Sequence, residues 1–169
     1  RSVVEAEAAK VALESFGSRA ADALLHALRH GGRRAREVVP GMLRDIDVDP
    51  AVLRARVDRE IDRSRRLLVL LGVLDASEVS RLVLQRLRER IDESLHAALE
   101  LLAAVLGDDR IAGVCRSLGR AWNLRDRAVL LEALETMLPV EDAERILPLL
   151  EEQSAQRLAA SAARALGEE

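Results

Sequence analysis

The sequence predicts an all-α protein, built as a right-handed α-solenoid of about five antiparallel helical hairpins. The composition is 49% hydrophobic but only 1% aromatic. Leu, Ala, Val and Ile must therefore fill the core, and chains rich in Leu, Ala, Arg and Glu favour helices over an all-β sandwich. Helix start and stop signals recur at short intervals along all 169 residues, and leucines recur every 32 residues.

The first 46 residues predict three helices. Gly17 ends the first helix, and Ser18 caps the second, which runs to the Gly31–Gly32 pair. Residues 33–46 predict a third helix that bends at Pro40, because proline removes a backbone donor and clashes with the preceding turn. Residues 1–46 fit the 32-residue spacing poorly, so we interpret them as a divergent or capping repeat.

Capping residues predict the later helix starts. Asp49 and Pro50 combine an N-cap with proline at the first helical position, and the helix they open extends to about Gly72. Asp75 and Glu78 have the spacing of a capping box. Further starts are predicted at Asp92, at Asp108 or Asp109, at Asn123, after Pro139, and at Ser154.

Leucines on these helices fall into columns with a constant spacing. One such column contains Leu67, Leu99 and Leu131. A period of this length is typical of stacked helical hairpins, in which each pair buries its apolar stripe against the next pair. It divides the rest of this single domain into hairpins at residues 47–74, 75–106, 107–138 and 139–167.

A helix that contains a proline, followed by a helix with a stripe of leucines, resembles a HEAT-like repeat. The two proline-containing stretches are residues 37–43 and 145–150. More narrowly, Arg65–Leu74, Ala98–Leu102 and Ile146–Leu150 resemble the soluble HEAT segment that follows the membrane domain in some bacterial nucleotide-translocase-like transporters. In that family the segment is often followed by a cyclic-nucleotide-binding module. The resemblance implies a HEAT-like α-solenoid and supplies no catalytic residue for this segment.

Charge is divided unevenly along the chain, although the formal net charge is only −3. Residues 1–90 contain 18 basic and 14 acidic side chains, whereas residues 91–169 contain 8 basic and 15 acidic ones. No global positive field exists to attract nucleic acid, so we expect no nucleic-acid partner. Arg33, Arg34 and Arg36 follow the glycine turn and are candidate contacts for anionic lipid, nucleic acid or an acidic partner.

Three sets of residues are candidates for a chemical role. Asp22, His26 and His30 follow one helical stripe, which suits two-histidine metal binding, but no further ligand lies nearby in sequence and a solvated face is the simpler interpretation. Cys115 shares a column with apolar residues, so we expect a small core residue and not a nucleophile. His96 flanks an apolar stripe and is expected to be a partly exposed structural histidine. We therefore expect no catalytic residue, metal or cofactor.

Candidate partner-binding residues lie on predicted surfaces. Glu100 and Glu132 repeat at the 32-residue spacing and, with Glu135, would form an acidic concave face. Trp122 lies between two helices, where it either anchors an interface or fills the junction between repeats. The leading hypothesis is a non-catalytic scaffold or protein-interaction domain of a larger bacterial protein, which binds a protein or a neighbouring domain on this face.

Two alternatives stay open. One is a cytoplasmic regulatory HEAT domain of a nucleotide-translocase-like transporter, coupled to a cyclic-nucleotide-binding module; its parent protein would be embedded in the membrane. The weaker one is a nucleic-acid-binding HEAT-like protein. We expect no membrane insertion by this segment, because its longest prominent apolar run, residues 67–74, is far shorter than the ~20 residues of a spanning helix. A single cysteine favours the cytoplasm, the lack of an initiator Met suggests a piece of a longer protein, and the oligomeric state is not predicted.

Overall fold

A computed structural model of the chain describes residues 20–31, 48–75, 80–118 and 123–151, together with residues 8, 11, 12, 16, 35, 38, 39, 41–43, 157 and 160. No strand occurs among these residues, which confirms the all-α prediction for this part of the chain. Six helices follow one another: α1 (Ala21–His30), α2 (Pro50–Asp75), α3 (Arg81–Leu106), α4 (Asp109–Leu118), α5 (Leu124–Met137) and α6 (Val140–Leu150).

Local capping chemistry sets several helix ends where the sequence predicts them. The Asp49 side chain accepts from the Ala51 amide at 2.8 Å, and the Asn123 side chain accepts from the Asp126 amide at 2.8 Å. Each bond satisfies one backbone donor that has no partner within its helix. Gly107 ends α3 in the left-handed conformation, with a φ of 65°, which favours glycine because it has no Cβ.

The structure differs from the predicted hairpins at residues 47–74 and 75–106. Each stretch consists mainly of one continuous helix, α2 or α3, and each of these helices has 26 residues. Helix α3 passes through Asp92, where a new helix was predicted. An aspartate favours an N-cap only where the chain has reason to turn, and here apolar residues continue the α3 stripe beyond it.

Helices α2 and α3 form one long antiparallel hairpin, and the others pack on one half of it. Helix α4 packs on α3, α5 on α4, and α6 on α5, but α6 also contacts both α2 and α3. Two ion pairs join α6 to α2: Arg54 to Asp142 and Arg145 to Asp58, each at 2.8 Å. The chain therefore returns to its first long helix.

The hydrophobic core lies at this covered half. Its largest fully buried side chains come from several helices and include Ile61, Leu99, Leu102, Ile111 and Leu134. By contrast, Leu68 is the only buried residue between 65 and 74, and Leu84 is the only one between 81 and 90. We call these two stretches, residues 65–74 and 81–90, the uncovered half of the hairpin.

Replacing Leu102 by alanine should lower the free energy of unfolding by roughly 2–5 kcal/mol, because it removes a fully buried side chain and leaves a cavity. Leu124→Ala is the matched control. Leu124 is 74% exposed, so its loss should change stability by less than about 0.5 kcal/mol. Urea unfolding followed by circular dichroism measures both, and equal losses would contradict the core assignment.

Candidate functional site

Three chemically reactive side chains meet where α3 packs on α4. His96 and Glu100 stand one turn apart on α3, so they share one face of that helix. The turn at Gly107 reverses the chain and places Cys115 of α4 against them. The ligand atoms of the three side chains all lie within 4.8 Å of one another. We call this group the His–Glu–Cys cluster.

Close contacts connect the three members. The Cys115 sulfur lies 3.1 Å from Nδ1 of His96, and Nε2 of His96 lies 3.7 Å from Oε1 of Glu100. The His96 ring thus stands between the thiol and the carboxylate. The thiol hydrogen can bond to Nδ1 whenever that nitrogen carries no proton.

Burial is unequal across the cluster. Glu100 is 1% exposed and Cys115 is 2% exposed, whereas the His96 side chain keeps 24% of its surface accessible. The cluster therefore lies at the edge of the core, with the imidazole on its solvent side. The partly exposed histidine and the core cysteine agree with the sequence predictions.

The environment of Cys115 keeps its sulfur protonated. Burial raises the pKa of the thiol well above its ordinary value, and the negative charge of Glu100 raises it further, while Arg116 lowers it to a lesser extent. A thiolate is the nucleophilic form of cysteine, and both the raised pKa and the burial disfavour attack on a substrate. The cluster does not have the electrostatics of a cysteine nucleophile.

The sequence alone does not predict the contact between Cys115 and His96. The one available signal was the four-residue spacing of His96 and Glu100, which places both on one helix face. Their contact with Cys115 depends on how α3 packs on α4. The 32-residue period cannot report it, because a period aligns equivalent positions and says nothing of which different positions touch.

The structure separates the predicted acidic face. Glu132 and Glu135 are exposed on α5, but Glu100 is buried, so its carboxylate does not lie on an accessible surface with theirs. Glu100 faces the core because the apolar stripe of α3 is wide there: every residue from 97 to 103 is buried. Trp122, Arg33, Arg34 and Arg36 lie outside the described residues.

A second feature is a cleft of about 420 Å³ between α1 and α2. Asp22, His26 and His30 line it from α1, opposite Arg56 and Arg59 of α2. The two histidine rings are 4.5 Å apart between centroids. Arg56 also forms an ion pair with Glu60 at 3.0 Å, so part of the positive charge on the α2 side of the cleft is already neutralised within the protein.

The uncovered half of the hairpin presents apolar side chains to solvent. Leu70 is 43% exposed on α2, and Leu82 and Val83 are 76% and 46% exposed on α3. Because α2 and α3 are antiparallel and joined by a short connection, the three residues lie at the same end of the hairpin. Exposed apolar side chains that cluster in this way often mark a surface that binds a partner, whereas single scattered ones do not.

Comparisons with known proteins do not add to this description. No protein-family model, no curated protein and no solved structure matches the chain. None of the described helices combines the length and the apolar character that crossing a membrane requires.

The raised thiol pKa predicts a slow reaction of Cys115 with iodoacetamide in the folded protein. At pH 8 the thiol should be alkylated at least about tenfold more slowly than in urea-unfolded chain, because little thiolate forms and the sulfur is buried. Mass spectrometry over time measures both rates on the same single cysteine. Equal rates in the folded and unfolded chain would show that the sulfur is accessible and ionised.

Proposed function

We propose that this chain is a non-catalytic, helical protein-interaction domain that binds its partner through the uncovered half of the α2–α3 hairpin. The exposure of Leu70, Leu82 and Val83 at one end of that hairpin carries the proposal. Complete burial of an exposed side chain of this kind contributes roughly 1.5–3 kcal/mol. Leu82 would contribute most of that, whereas Leu70 and Val83, which are already more than half buried, would each contribute about half as much. The core lies at the covered half of the α2–α3 hairpin, so the uncovered half is accessible to a partner.

Charges around the apolar residues favour an acidic partner. Arg65, Arg66 and Arg81 are exposed on the uncovered half, and Arg86 is exposed beside Glu89, its ion-pair partner at 2.6 Å. Arginine is enriched at protein interfaces, where its planar group pairs with carboxylates while its stem covers apolar surface. The partner that fits is an amphipathic helix with an apolar face and an acidic margin.

This surface replaces part of the predicted binding face. Glu100 is buried and is no longer a contact candidate, whereas Glu132 and Glu135 stay accessible and a contact there stays a prediction. The right-handed, HEAT-like stacking of about five hairpins also stays a prediction. Packing of successive helices on one another supports it, while the contact of α6 with α2 reaches beyond the nearest neighbour that a simple array would use.

A photo-reactive amino acid placed at Leu82 tests the proposal in living cells. We expect light to cross-link it to one partner protein, because residue 82 lies within the proposed surface. The same amino acid at Leu124, which is equally exposed on α5, is the matched control and should not capture that partner. After the partner is identified, Leu82→Glu should weaken its purified complex at least tenfold, and Leu124→Glu should leave the affinity unchanged.

Two results would contradict the proposal. One is a partner captured equally from both positions, or from neither. The other is sedimentation of the purified chain with vesicles of anionic phospholipid that Leu82→Glu abolishes, because the surface would then be a lipid-binding one. Binding of DNA in an electrophoretic shift at low salt would favour the nucleic-acid alternative.

A further inference from the structure

The His–Glu–Cys cluster contains side chains that can bind a metal ion, which the proposed interaction surface does not require. Imidazole, carboxylate and thiolate are the three ligand types that zinc sites use, and the thiolate and imidazole together favour zinc over magnesium or calcium. Among the described residues this is the one group of three such side chains whose ligand atoms gather so closely. We infer that His96, Glu100 and Cys115 bind a divalent transition-metal ion of the zinc class.

The distances suit such an ion after small side-chain rotations. Metal–ligand bonds of about 2.0–2.3 Å in a tetrahedron place neighbouring ligand atoms roughly 3.3–3.6 Å apart. The sulfur of Cys115 already lies 3.1 Å from Nδ1 of His96, and no pair of ligand atoms in the cluster exceeds 4.8 Å. A difference of about 1 Å can be closed by rotation of His96 about two side-chain bonds and of Glu100 about three, while the sulfur of Cys115 moves with one.

Charge balance also favours a dication. The Glu100 carboxylate is almost completely buried, and a cation interacts more strongly with a carboxylate in such a low-dielectric environment than in water. When the ion binds, the sulfur–hydrogen bond of Cys115 breaks, its electron pair forms the sulfur–metal bond, and the proton leaves to solvent. One thiolate and one carboxylate then neutralise the two charges of the ion, and the imidazole stays neutral.

Three protein ligands leave a fourth coordination position for water. The partly exposed side of His96 is where an ion would enter and where that water would lie. Sites with three protein ligands and an open position differ from closed structural zinc sites, which use four. The inference is independent of the proposed interaction function, because the cluster lies in the covered half of the hairpin.

Cobalt(II) is the most direct probe, because a thiolate–cobalt bond gives a charge-transfer absorption that oxygen and nitrogen ligands do not. These 169 residues contain one cysteine, so such a band in this chain can come only from Cys115. We expect the band to saturate at one cobalt per chain. Zinc added afterwards should displace the cobalt and remove the band.

Variants and zinc dialysis complete the test. Cys115→Ser should lose the band and weaken zinc binding at least about tenfold, since loss of even an outer-shell partner costs that much. His96→Ala should weaken zinc binding to a similar extent, while His26→Ala, a histidine outside the cluster, should bind as the unmodified chain does. Circular dichroism shows whether each variant is folded. If a cluster variant unfolds, the presence or absence of the thiolate–cobalt band in the unmodified chain tests the inference without it.

Three outcomes would overturn the inference. These are no thiolate–cobalt band in the unmodified chain, equal zinc affinity in folded Cys115→Ser, and saturation at one metal per two chains. The last would place the ion between copies of the chain. None of them bears on cross-linking at Leu82, so this inference and the proposed function fail separately.

Discussion

The packing of α2 against α3 is the interaction on which the rest of the structure depends. Each helix has 26 residues and is therefore about 39 Å long, and they contact each other more extensively than any other pair of described helices. Inside the interface, the Ser94 hydroxyl donates to the buried Glu60 carboxylate at 3.0 Å, and Arg56 pairs with the same carboxylate. Because an unpaired buried carboxylate is costly, this contact disfavours any sliding of the helices along each other. It fixes the register of the hairpin.

The ion pairs between α6 and α2 determine which half of that hairpin is covered. Asp142 is completely buried in the first turn of α6, where a negative charge also suits the helix dipole, and Arg54 of α2 bonds to it. Removing Arg54 would leave the buried Asp142 carboxylate without this ion pair, which is worse than replacing both residues by apolar ones. The pairs therefore specify where α6 docks, and they act near the beginning of α2.

Local chemistry was predictable, whereas burial set by packing was not. The caps at Asp49 and Asn123 depend on residues within three positions, and the sequence alone locates them. The 32-residue period fails for exposure: it aligns Val83 with Cys115, yet Val83 is half exposed and Cys115 is buried. Equivalent positions differ because, among the described helices, further helices pack over the segment with Cys115 and not over the one with Val83. For the same reason the period wrongly suggested an accessible Glu100 and was silent on the contact between His96 and Cys115.

Helix α3 carries both candidate functional features, and its length separates them. Leu82 and His96 are 14 residues apart on one continuous helix, which corresponds to about 21 Å along its axis. At physiological ionic strength the screening length is about 8 Å, so a charge gained at the His–Glu–Cys cluster has little direct electrostatic effect at the uncovered half. Any influence of one on the other would have to pass mechanically, through a change in how α3 packs on α2. The buried contact between Ser94 and Glu60 lies between the two features and opposes such a change. This contact holds α3 against α2 beside the cluster, so we expect substitutions on the proposed binding surface to leave the cluster undisturbed.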